Sequence, residues 1–358
     1  MYRNTYVKVY LDHIKRNVET MIQTFPDYQY YFAVVKADCY GHYGERPIQK
    51  MIEAGCNYLA VSSLDEAMAV RKQFPSIPIL CLEPIAVSDI EVAFSNHITL
   101  TICSLEEADE ISHCPYKGKV HLKVNTGMNR LGFSSKEDLQ AVYQILKKSK
   151  TIEIEGIYTH IYDAMNEEKT KKQFTCFEES TSMLPLSDIP IVHVTASEAT
   201  ERYPKLPFVN GCRFGIMMYG FTTSDQLQLE STFTVESEVL QIQQLHLHET
   251  VGYDGIYEAK EEGELIAVVA IGYADGVIRA NRGRSVYIHG RPYPIVGNIC
   301  MDMLFVRVDE SVQVHDLVQV IKDKEHILEI AHMLHTVPHE VLTSISKRVP
   351  RIYIESKK

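Results

Sequence analysis

The sequence predicts an α/β protein in which an eight-stranded parallel (β/α)8 barrel of the TIM type is followed by a mostly β carboxyl-terminal domain. Over the first 215 residues, eight short apolar runs alternate with segments of helical period. After about residue 225 the pattern becomes β-rich. No glycine-rich dinucleotide fingerprint follows the first apolar run, which disfavours a doubly wound sheet. We therefore expect a barrel over residues 9–225 and a β domain over residues 226–358 that also includes a strand from residues 1–8.

The predicted barrel strands are runs of five or six mostly apolar residues. They lie at residues 31–35, 58–62, 77–82, 98–102, 120–124, 154–159, 191–195 and 208–213. The segments of helical period between them include 44–54, 64–72, 105–111, 136–148 and 167–184. Because each parallel strand needs a long crossover connection before the next one, this alternation favours a barrel.

The second half of the chain predicts strands joined by tight turns. The predicted strands are residues 233–244, 265–271, 285–289, 303–308, 317–320 and 351–355, with one helix at 324–334. Turn signals such as Asp254–Gly255 and His289–Gly290 separate some of these strands. No repeat or low-complexity linker divides the two domains, so we expect them to pack closely.

Composition excludes several classes of partner. The formal net charge of -11 and the pI of about 5.8 argue against nucleic acid or an anionic membrane, since both require a basic face. No apolar stretch is long enough to span a membrane and no basic-then-apolar leader opens the chain, so a cytoplasmic location is expected. The eight cysteines are scattered singly, which predicts neither a disulfide framework nor a metal site. A small molecule is the expected partner.

Lys36 is the most informative single residue. It ends the apolar run of residues 32–35 and is followed by Asp38 and Gly41. An apolar strand that delivers a lysine to its carboxyl end is the arrangement needed for a Schiff base to a carbonyl cofactor. Alone, such a lysine is more often a solvated strand boundary.

Other predicted strands also end in groups able to do chemistry. These are Glu83, Lys123 with Asn125, His160, the segment 195–197, and Arg213 followed by Gly215. In a parallel barrel the carboxyl ends of all strands meet on one face, where active sites form. The set therefore predicts a catalytic site on that face.

Six ordered motifs resemble the alanine racemase family of pyridoxal phosphate enzymes. They are VVKADCYGH at 34–42, KVNTGMNRLGF at 123–133, GIYTH at 156–160, RFGIMMYG at 213–220, IGYADG at 271–276 and PIVGNICMDM at 294–303. The resemblance covers nearly the whole chain. It implies a barrel that binds pyridoxal 5'-phosphate, a carboxyl-terminal β domain, and a head-to-tail homodimer whose two active sites each use residues of both chains.

The resemblance also implies two bases. Lys36 would hold the cofactor as a Schiff base and act as the base for the D isomer, so its amine must be partly neutral. Tyr253, supplied by the partner subunit, would act on the opposite face of the substrate. A phenol has an ordinary pKa near about 10, so it needs a nearby cation to act as a base. His160 and Arg213 are the implied modulators.

Further residues are implied to bind the cofactor and the substrate. Arg213 would face the pyridine nitrogen, where a permanent cation disfavours ring protonation and limits side reactions. The implied phosphate ligands are the hydroxyls of Tyr40 and Ser197, the amides of Gly215 and Ile216, and a contact from His339.

The resemblance implies a second set of residues that bind the substrate. Arg130 would bind the substrate carboxylate and the cofactor phenolate, aided by the partner's Met301 backbone and Asp302. Lys123 corresponds to a lysine that is carbamylated in many family members. A free amine that pairs with nearby carboxylates remains equally open for it.

Four positions depart from the family pattern. Position 339 is usually tyrosine and is His339 here, which puts substrate choice in doubt. In the implied access corridor, Asn298 replaces an arginine and Met165 an aspartate, although Tyr273 and Arg279 match the pattern. Ala196 replaces a common asparagine before Ser197.

The function expected from this resemblance is racemisation of L-alanine and D-alanine by two bases, through an imine with pyridoxal phosphate, to supply D-alanine for peptidoglycan. A racemase of serine or another small amino acid is the first alternative. A decarboxylase of the same architecture is disfavoured, since that group places a carboxylate where Arg213 stands. A noncatalytic pyridoxal phosphate carrier is the alternative outside enzymes, but it would have no use for Tyr253.

Overall fold

The chain starts in the sheet of its carboxyl-terminal half and then enters the barrel. The structure, a computed structural model, describes residues 3–224 and 227–356. Strand β1 (Tyr6–Tyr10) pairs with carboxyl-terminal strands, and helix α1 (Leu11–Thr24) leads to the barrel. The predicted domain boundary between residues 225 and 226 lies outside the described residues.

Eight parallel strands close the barrel in sequence order. They are β2 (Tyr30–Val34), β3 (Tyr58–Val61), β4 (Ile79–Cys81), β5 (Ile98–Ile102), β6 (Gly118–Lys123), β7 (Ile152–Tyr158), β8 (Ile191–Ala196) and β9 (Gly211–Phe214). The pairing of β2 with β9 completes the ring. The predicted parallel barrel is therefore confirmed.

The last predicted barrel strand, residues 208–213, begins too early. Strand β9 starts at Gly211, and the amide of Val209 donates to Leu206 O in a turn. The apolar side chain of Phe208 packs against Phe177, with ring centroids 6.2 Å apart. Phe208 is thus apolar because it contacts a helix, which the apolar run alone could not distinguish from a strand.

Helices return the chain between successive barrel strands. They are α2 (Glu45–Glu53), α3 (Leu64–Gln73), α4 (Ile90–Ser95), α5 (Leu105–Ser112), α6 (Lys136–Lys148), α7 (Glu167–Thr181) and α8 (Ser197–Arg202). Local chemistry fixes several helix starts. Ser63, Ser104, Ser135 and Asn166 each accept a hydrogen bond from a backbone amide in the first turn of the helix that follows.

Aromatic rings fill the barrel interior. The imidazole of His193 lies between the rings of Phe32 and Tyr158, with both centroid distances at 4.6 Å and both interplanar angles at 13°. His121 is fully buried beside them. Its ring fits because position 156 is glycine, where an added Cβ would lie 2.5 Å from the imidazole. The interior is therefore packed closely around two histidines.

The carboxyl-terminal half is β-rich, as predicted. Its strands are β10 (Phe233–Leu245), β11 (Thr250–Val251), β12 (Tyr257–Glu258), β13 (Glu264–Val269), β14 (Ser285–Ile288), β15 (Arg291–Val296), β16 (Leu304–Val308), β17 (Leu317–Ile321) and β18 (Arg351–Ile354). The eight-stranded sheet has the order β13-β16-β15-β14-β17-β10-β1-β18, and β10 also pairs with β13. Helices α9 (Lys324–Met333) and α10 (Pro338–Ser344) follow β17.

Strand β15 is absent from the predicted strands because it contains Pro292 and Pro294, which normally disfavour a central strand. The amide of Ile295 donates to Arg284 O beside β14. Since amides alternate sides along a strand, both proline nitrogens face away from β14. Pairing with β16 on that other side involves only Ile295 and Val296, so neither proline interrupts a ladder.

Within the described ranges 3–224 and 227–356, no helix has the length and apolar character needed to cross a membrane.

Candidate active site

A cavity of about 510 Å³ lies at the carboxyl ends of the barrel strands. Ten of the predicted site residues line it together. They are Lys36, Tyr40, Lys123, Arg130, His160, Ser197, Arg213, Gly215, Ile216 and His339. A larger cavity of about 660 Å³ lies at the opposite end of the barrel, where strands β6 and β7 begin. The clustering of the predicted groups identifies the first cavity as the candidate active site.

A left-handed turn carries Lys36 and Tyr40 into this cavity. Strand β2 is followed by one helical turn, Lys36–Tyr40, in which residues 37–40 all have φ between 50° and 55°. Each such residue other than glycine costs roughly 1–2 kcal/mol, so tertiary contacts must hold the turn. The amide of Ala37 donates to Glu66 Oε1 at 2.7 Å. At Gly41 an added Cβ would overlap the Leu342 carbonyl oxygen of α10.

Three polar groups converge around Gly215. Its amide donates to Ser197 Oγ at 2.8 Å. An added Cβ on Gly215 would lie 3.0 Å from the Tyr40 hydroxyl and 3.5 Å from Ser197 Oγ. Glycine therefore leaves room at this point for a compact group that accepts hydrogen bonds, such as a phosphate.

Arg213 is buried and held by the barrel backbone. Nη1 donates to His193 Nδ1 at 2.8 Å and to His193 O at 3.0 Å. Nη2 donates to Thr159 O at 2.8 Å and contacts His160 Nδ1 at 3.4 Å. Among the residues that the structure describes, these contacts occupy both terminal nitrogens and leave Nε as the guanidinium donor available to the cavity.

The charge of Arg213 affects the titratable groups around it. Burial lowers the pKa of Arg213 to about 10, so it remains a cation at neutral pH. Burial, together with the charges of Arg213 and Lys123, lowers the pKa of His160 well below its ordinary value. His160 is therefore neutral, and Nδ1 is its acceptor nitrogen towards Arg213. Burial and the charge of Lys36 also lower the pKa of His339.

Lys123 carries a buried side-chain amine. Its Nζ lies 4.6 Å from the centroid of the Tyr158 ring, and its exposed fraction is 6%. No carboxylate forms an ion pair with it in the two described ranges of the chain. Burial and the nearby Arg213 lower its pKa to about 8.

Six other predicted residues lie together on the β-rich half of the chain, outside this cavity. They are Tyr253, Tyr273, Arg279, Asn298, Met301 and Asp302. The side-chain amide of Asn298 donates from Nδ2 to Tyr253 O and to Asp254 Oδ2, both at 3.0 Å. Arg279 reaches the same Asp254 carboxylate at 3.6 Å. Tyr253, at 68% exposed, is the most accessible of the group's large side chains.

The remaining contacts explain how this second group is held. The amide of Ala274 donates to Met301 O, which fixes the Met301 loop beside Tyr273. Asp302 forms an ion pair with Arg348. Met165, at 61% exposed, follows His160 in the barrel loop and does not line the cavity.

Two residues that support the site could not be recognised as site residues from the sequence motifs. His121 and His193 lie in barrel strands and connect to Arg213 by hydrogen bonds. Both are ionisable residues inside otherwise apolar strands. Such a residue indicates a buried hydrogen-bond partner, and this is the sequence signal that could have identified them.

Comparisons with known proteins agree with this arrangement. The model of the alanine racemase N-terminal domain matches residues 9–223, and the model of the C-terminal domain matches residues 232–353. The chain is 36% identical to the alanine racemase of Halalkalibacterium halodurans over 98% of this chain and 95% of that protein. It is also 36% identical to alanine racemase 1 of Bacillus subtilis over 99% of this chain and 94% of that protein. The chain belongs to the alanine racemase family.

Solved structures of the alanine racemase family share the whole architecture. Alanine racemase from Bacillus anthracis with bound L-Ala-P superposes with a TM-score of 0.93 at 33% identity, covering 100% of this chain and 97% of that one. Alanine racemase from E. faecalis superposes with a TM-score of 0.94 at 30% identity, with 99% of each chain covered. Alanine racemases are isomerases, and this chain is an enzyme of that class. The family depends on pyridoxal phosphate.

The low pKa of Lys123 predicts a pH dependence of stability. Below pH 8 the fold holds a buried cation, whereas in the unfolded chain the amine stays protonated up to its ordinary pKa of 10.5. The unfolded state therefore binds more protons between these values, and stability rises with pH there. Relative to Lys123→Met, the wild type should gain about 2 kcal/mol in unfolding free energy from pH 7 to pH 10, measured by urea titration in CO2-free buffer. An unchanged difference between the two proteins would show that the amine is not buried as a cation.

Proposed function

We propose that this enzyme interconverts L-alanine and D-alanine with pyridoxal 5'-phosphate as its cofactor. The observation that carries the proposal is that one cavity combines the Lys36 amine, the polar pocket at Gly215 and the Nε of Arg213, which forms no hydrogen bond within residues 3–224 and 227–356. Relatives of the same architecture named alanine racemase support alanine as the substrate.

The residues present fit this cofactor. The Tyr40 and Ser197 hydroxyls with the amides of Gly215 and Ile216 would hold its phosphate, where neutral donors suffice. The Gly215 amide would become available when Ser197 Oγ, which accepts from it here, turns to donate to the phosphate. Lys36 would hold its aldehyde carbon. When bound, pyridoxal phosphate supplies a ring that accepts electrons and makes the proton on the substrate Cα labile.

Racemisation needs proton transfer on both faces of Cα, and Lys36 can serve only one of them. Lys36 would serve the face from which the D isomer loses its proton. We assign the opposite face to Tyr253 of the partner subunit, because this chain's own Tyr253 lies outside its cavity and is 68% exposed. A head-to-tail homodimer would bring each tyrosine to the other chain's Lys36.

Arg213 and His160 support the tyrosine. Because His160 Nδ1 accepts from Arg213, its proton lies on Nε2, where it can donate to a phenolate oxygen. The cationic Arg213 lies directly behind this histidine. Together they would stabilise the ionised phenol that a tyrosine base requires.

Arg213 also bears on the choice of reaction. A guanidinium has donors only, so a ring nitrogen that faces Nε must act as the acceptor and stays unprotonated. This would weaken the electron withdrawal of the ring and limit side reactions such as transamination.

The substrate carboxylate would lie between residues of both chains. Arg130 lines the cavity and offers a planar fork of donors. The partner's Met301 backbone and the partner's Asp302 would complete the contact, and Tyr273, Arg279, Asn298 and Met165 would form the access corridor. His339, whose ring centroid lies 5.6 Å from that of Tyr40, would contact the cofactor phosphate and limit the room beside the substrate side chain.

We further propose that Lys123 is carbamylated. Its neutral amine would add to CO2 with loss of one proton, which turns a buried positive site into an anion. Arg130, Arg213 and Lys36 all lie close enough to lower its pKa, so an anion here would be stabilised by three cations.

In the cell, we propose that the enzyme acts in the cytoplasm and supplies D-alanine for peptidoglycan. We propose the domain limits as residues 9–225 for the barrel that binds the cofactor and 226–358, with a strand from 1–8, for the β domain. Strand β1 (Tyr6–Tyr10) extends two residues past the limit at residue 8.

The first prediction concerns the substrate. Purified protein with pyridoxal phosphate should racemise L-alanine faster than any other L-amino acid in a panel, measured by chiral chromatography. Preference for serine or a larger amino acid would assign specificity to His339, Asn298 and Met165. Cofactor binding without turnover of any amino acid would instead indicate a carrier.

The second prediction concerns the shared site. Lys36→Ala and Tyr253→Phe should each lose nearly all activity, since each removes one base. Random pairing of the two variants, co-expressed in equal amounts, should restore about a quarter of wild-type activity, because half the dimers contain one intact site. Separately purified variants assayed before exchange serve as the control. A co-expressed mixture as inactive as its parents would place both bases within one chain.

The third prediction concerns Lys123. Enzyme equilibrated with 13C-bicarbonate should show a carbamate carbon in its 13C NMR spectrum, and Lys123→Met should lack it. A spectrum without that signal in the wild type would leave Lys123 as a free amine.

A further inference from the structure

A line of polar side chains crosses the barrel interior from Arg213 to the opposite end. Arg213 Nη1 lies 2.8 Å from His193 Nδ1, and His193 Nε2 lies 2.9 Å from His121 Nδ1. His121 Nε2 then lies 3.4 Å from Glu155 Oε2. All four side chains are buried, and Glu155 lines the larger cavity at the amino end of the barrel.

The hydrogen positions along this line follow from its cationic end. A guanidinium only donates, so His193 Nδ1 must accept and the His193 proton must lie on Nε2. That nitrogen donates to His121 Nδ1, so the His121 proton lies on its own Nε2. This last N–H forms no hydrogen bond with any described residue, and it lies 3.4 Å from Glu155 Oε2. The two hydrogen bonds between Arg213 and His121 thus each have one allowed direction, and the line ends in a longer electrostatic contact with the Glu155 carboxylate.

Glu155 is built to stay an anion at the far end. Tyr58 donates to it at 2.6 Å and Lys119 at 2.7 Å. Although burial raises the pKa of Glu155, contacts with His121, Lys119 and Tyr58 outweigh that effect and lower it to about 2. Burial lowers the pKa of both His121 and His193, so the two imidazoles are neutral. A buried carboxylate and a buried guanidinium are therefore joined by two polarised neutral rings.

We propose that His193, His121 and Glu155 are positioning residues that fix the Arg213 guanidinium, so that its Nε points at the pyridine nitrogen of the bound cofactor. This inference rests on the proposed function. The tight stacking of His193 between Phe32 and Tyr158 leaves its imidazole no freedom to turn. Because Nη1 is anchored to that imidazole, the guanidinium plane is set from inside the barrel.

Three variants each change one member of this line of polar side chains, at increasing distance from Arg213. His193→Phe and His121→Phe keep the aromatic packing and lose the nitrogens, and Glu155→Gln keeps the shape and loses the charge. Thr99→Val is the matched control, because the Thr99 hydroxyl donates to Glu155 at 3.2 Å but lies outside the line. Each holoenzyme would be compared by the visible absorption spectrum of its bound pyridoxal phosphate, by melting temperature, and by kcat and KM for alanine.

The proposal predicts an ordered response. The cofactor spectrum should change most in His193→Phe, less in His121→Phe and least, but measurably, in Glu155→Gln, with Thr99→Val unchanged. In His193→Phe, kcat should fall about tenfold with KM changed less than about twofold, a size typical of losing an outer partner that orients a functional group.

Other outcomes would overturn the proposal. If the variants lower the melting temperature but keep the wild-type cofactor spectrum, the line is only a satisfied core network. If Thr99→Val changes the spectrum as much as Glu155→Gln, general loosening of the barrel is the cause. Should His193→Phe fail to fold, the Glu155→Gln spectrum decides alone. A wild-type protein that takes up no pyridoxal phosphate would overturn the proposed function together with this inference.

Discussion

The burial of one guanidinium organises this barrel. Arg213 keeps its proton at neutral pH despite the cost of desolvation, so the interior must provide acceptors for its donors. Backbone carbonyls of Thr159 and His193 and two imidazole nitrogens do so. These contacts fix which nitrogen of His160 and of His193 carries a proton. The protonation pattern of the site is thus set by one residue that stays charged at neutral pH.

The two halves of the chain contribute to the site in different ways. Helix α10 packs against the turn after Lys36, where Gly41 leaves room for the Leu342 carbonyl, and this contact brings His339 over the cavity. The group around Tyr253 belongs to the same half but lies outside its own chain's cavity. The β-rich half therefore covers one site and exposes the groups we assign to another.

The parts of the fold that repeat a simple pattern could be predicted from the sequence. Eight apolar runs identify eight strands, because a strand covered on both faces must be apolar along its length. Strand β15 could not be predicted, since its prolines are tolerated only through the position at which β16 starts to pair. The line from Arg213 to Glu155 was equally hidden. His121, Glu155 and His193 come from three strands, and only barrel closure brings them together.

Lys36 stands at the start of a segment whose backbone is left-handed, a conformation that L-amino acids disfavour. Four successive residues with positive φ would relax to ordinary torsions if their supports were withdrawn. Those supports include Glu66 from the barrel, and from the β-rich half the α10 contact and Arg351, which donates to Gly41 O at 3.0 Å. The geometry of the Lys36 turn and the docking of the two halves are therefore thermodynamically linked: whatever loosens their contact, even far from the cavity, also loosens the turn to which we assign the cofactor.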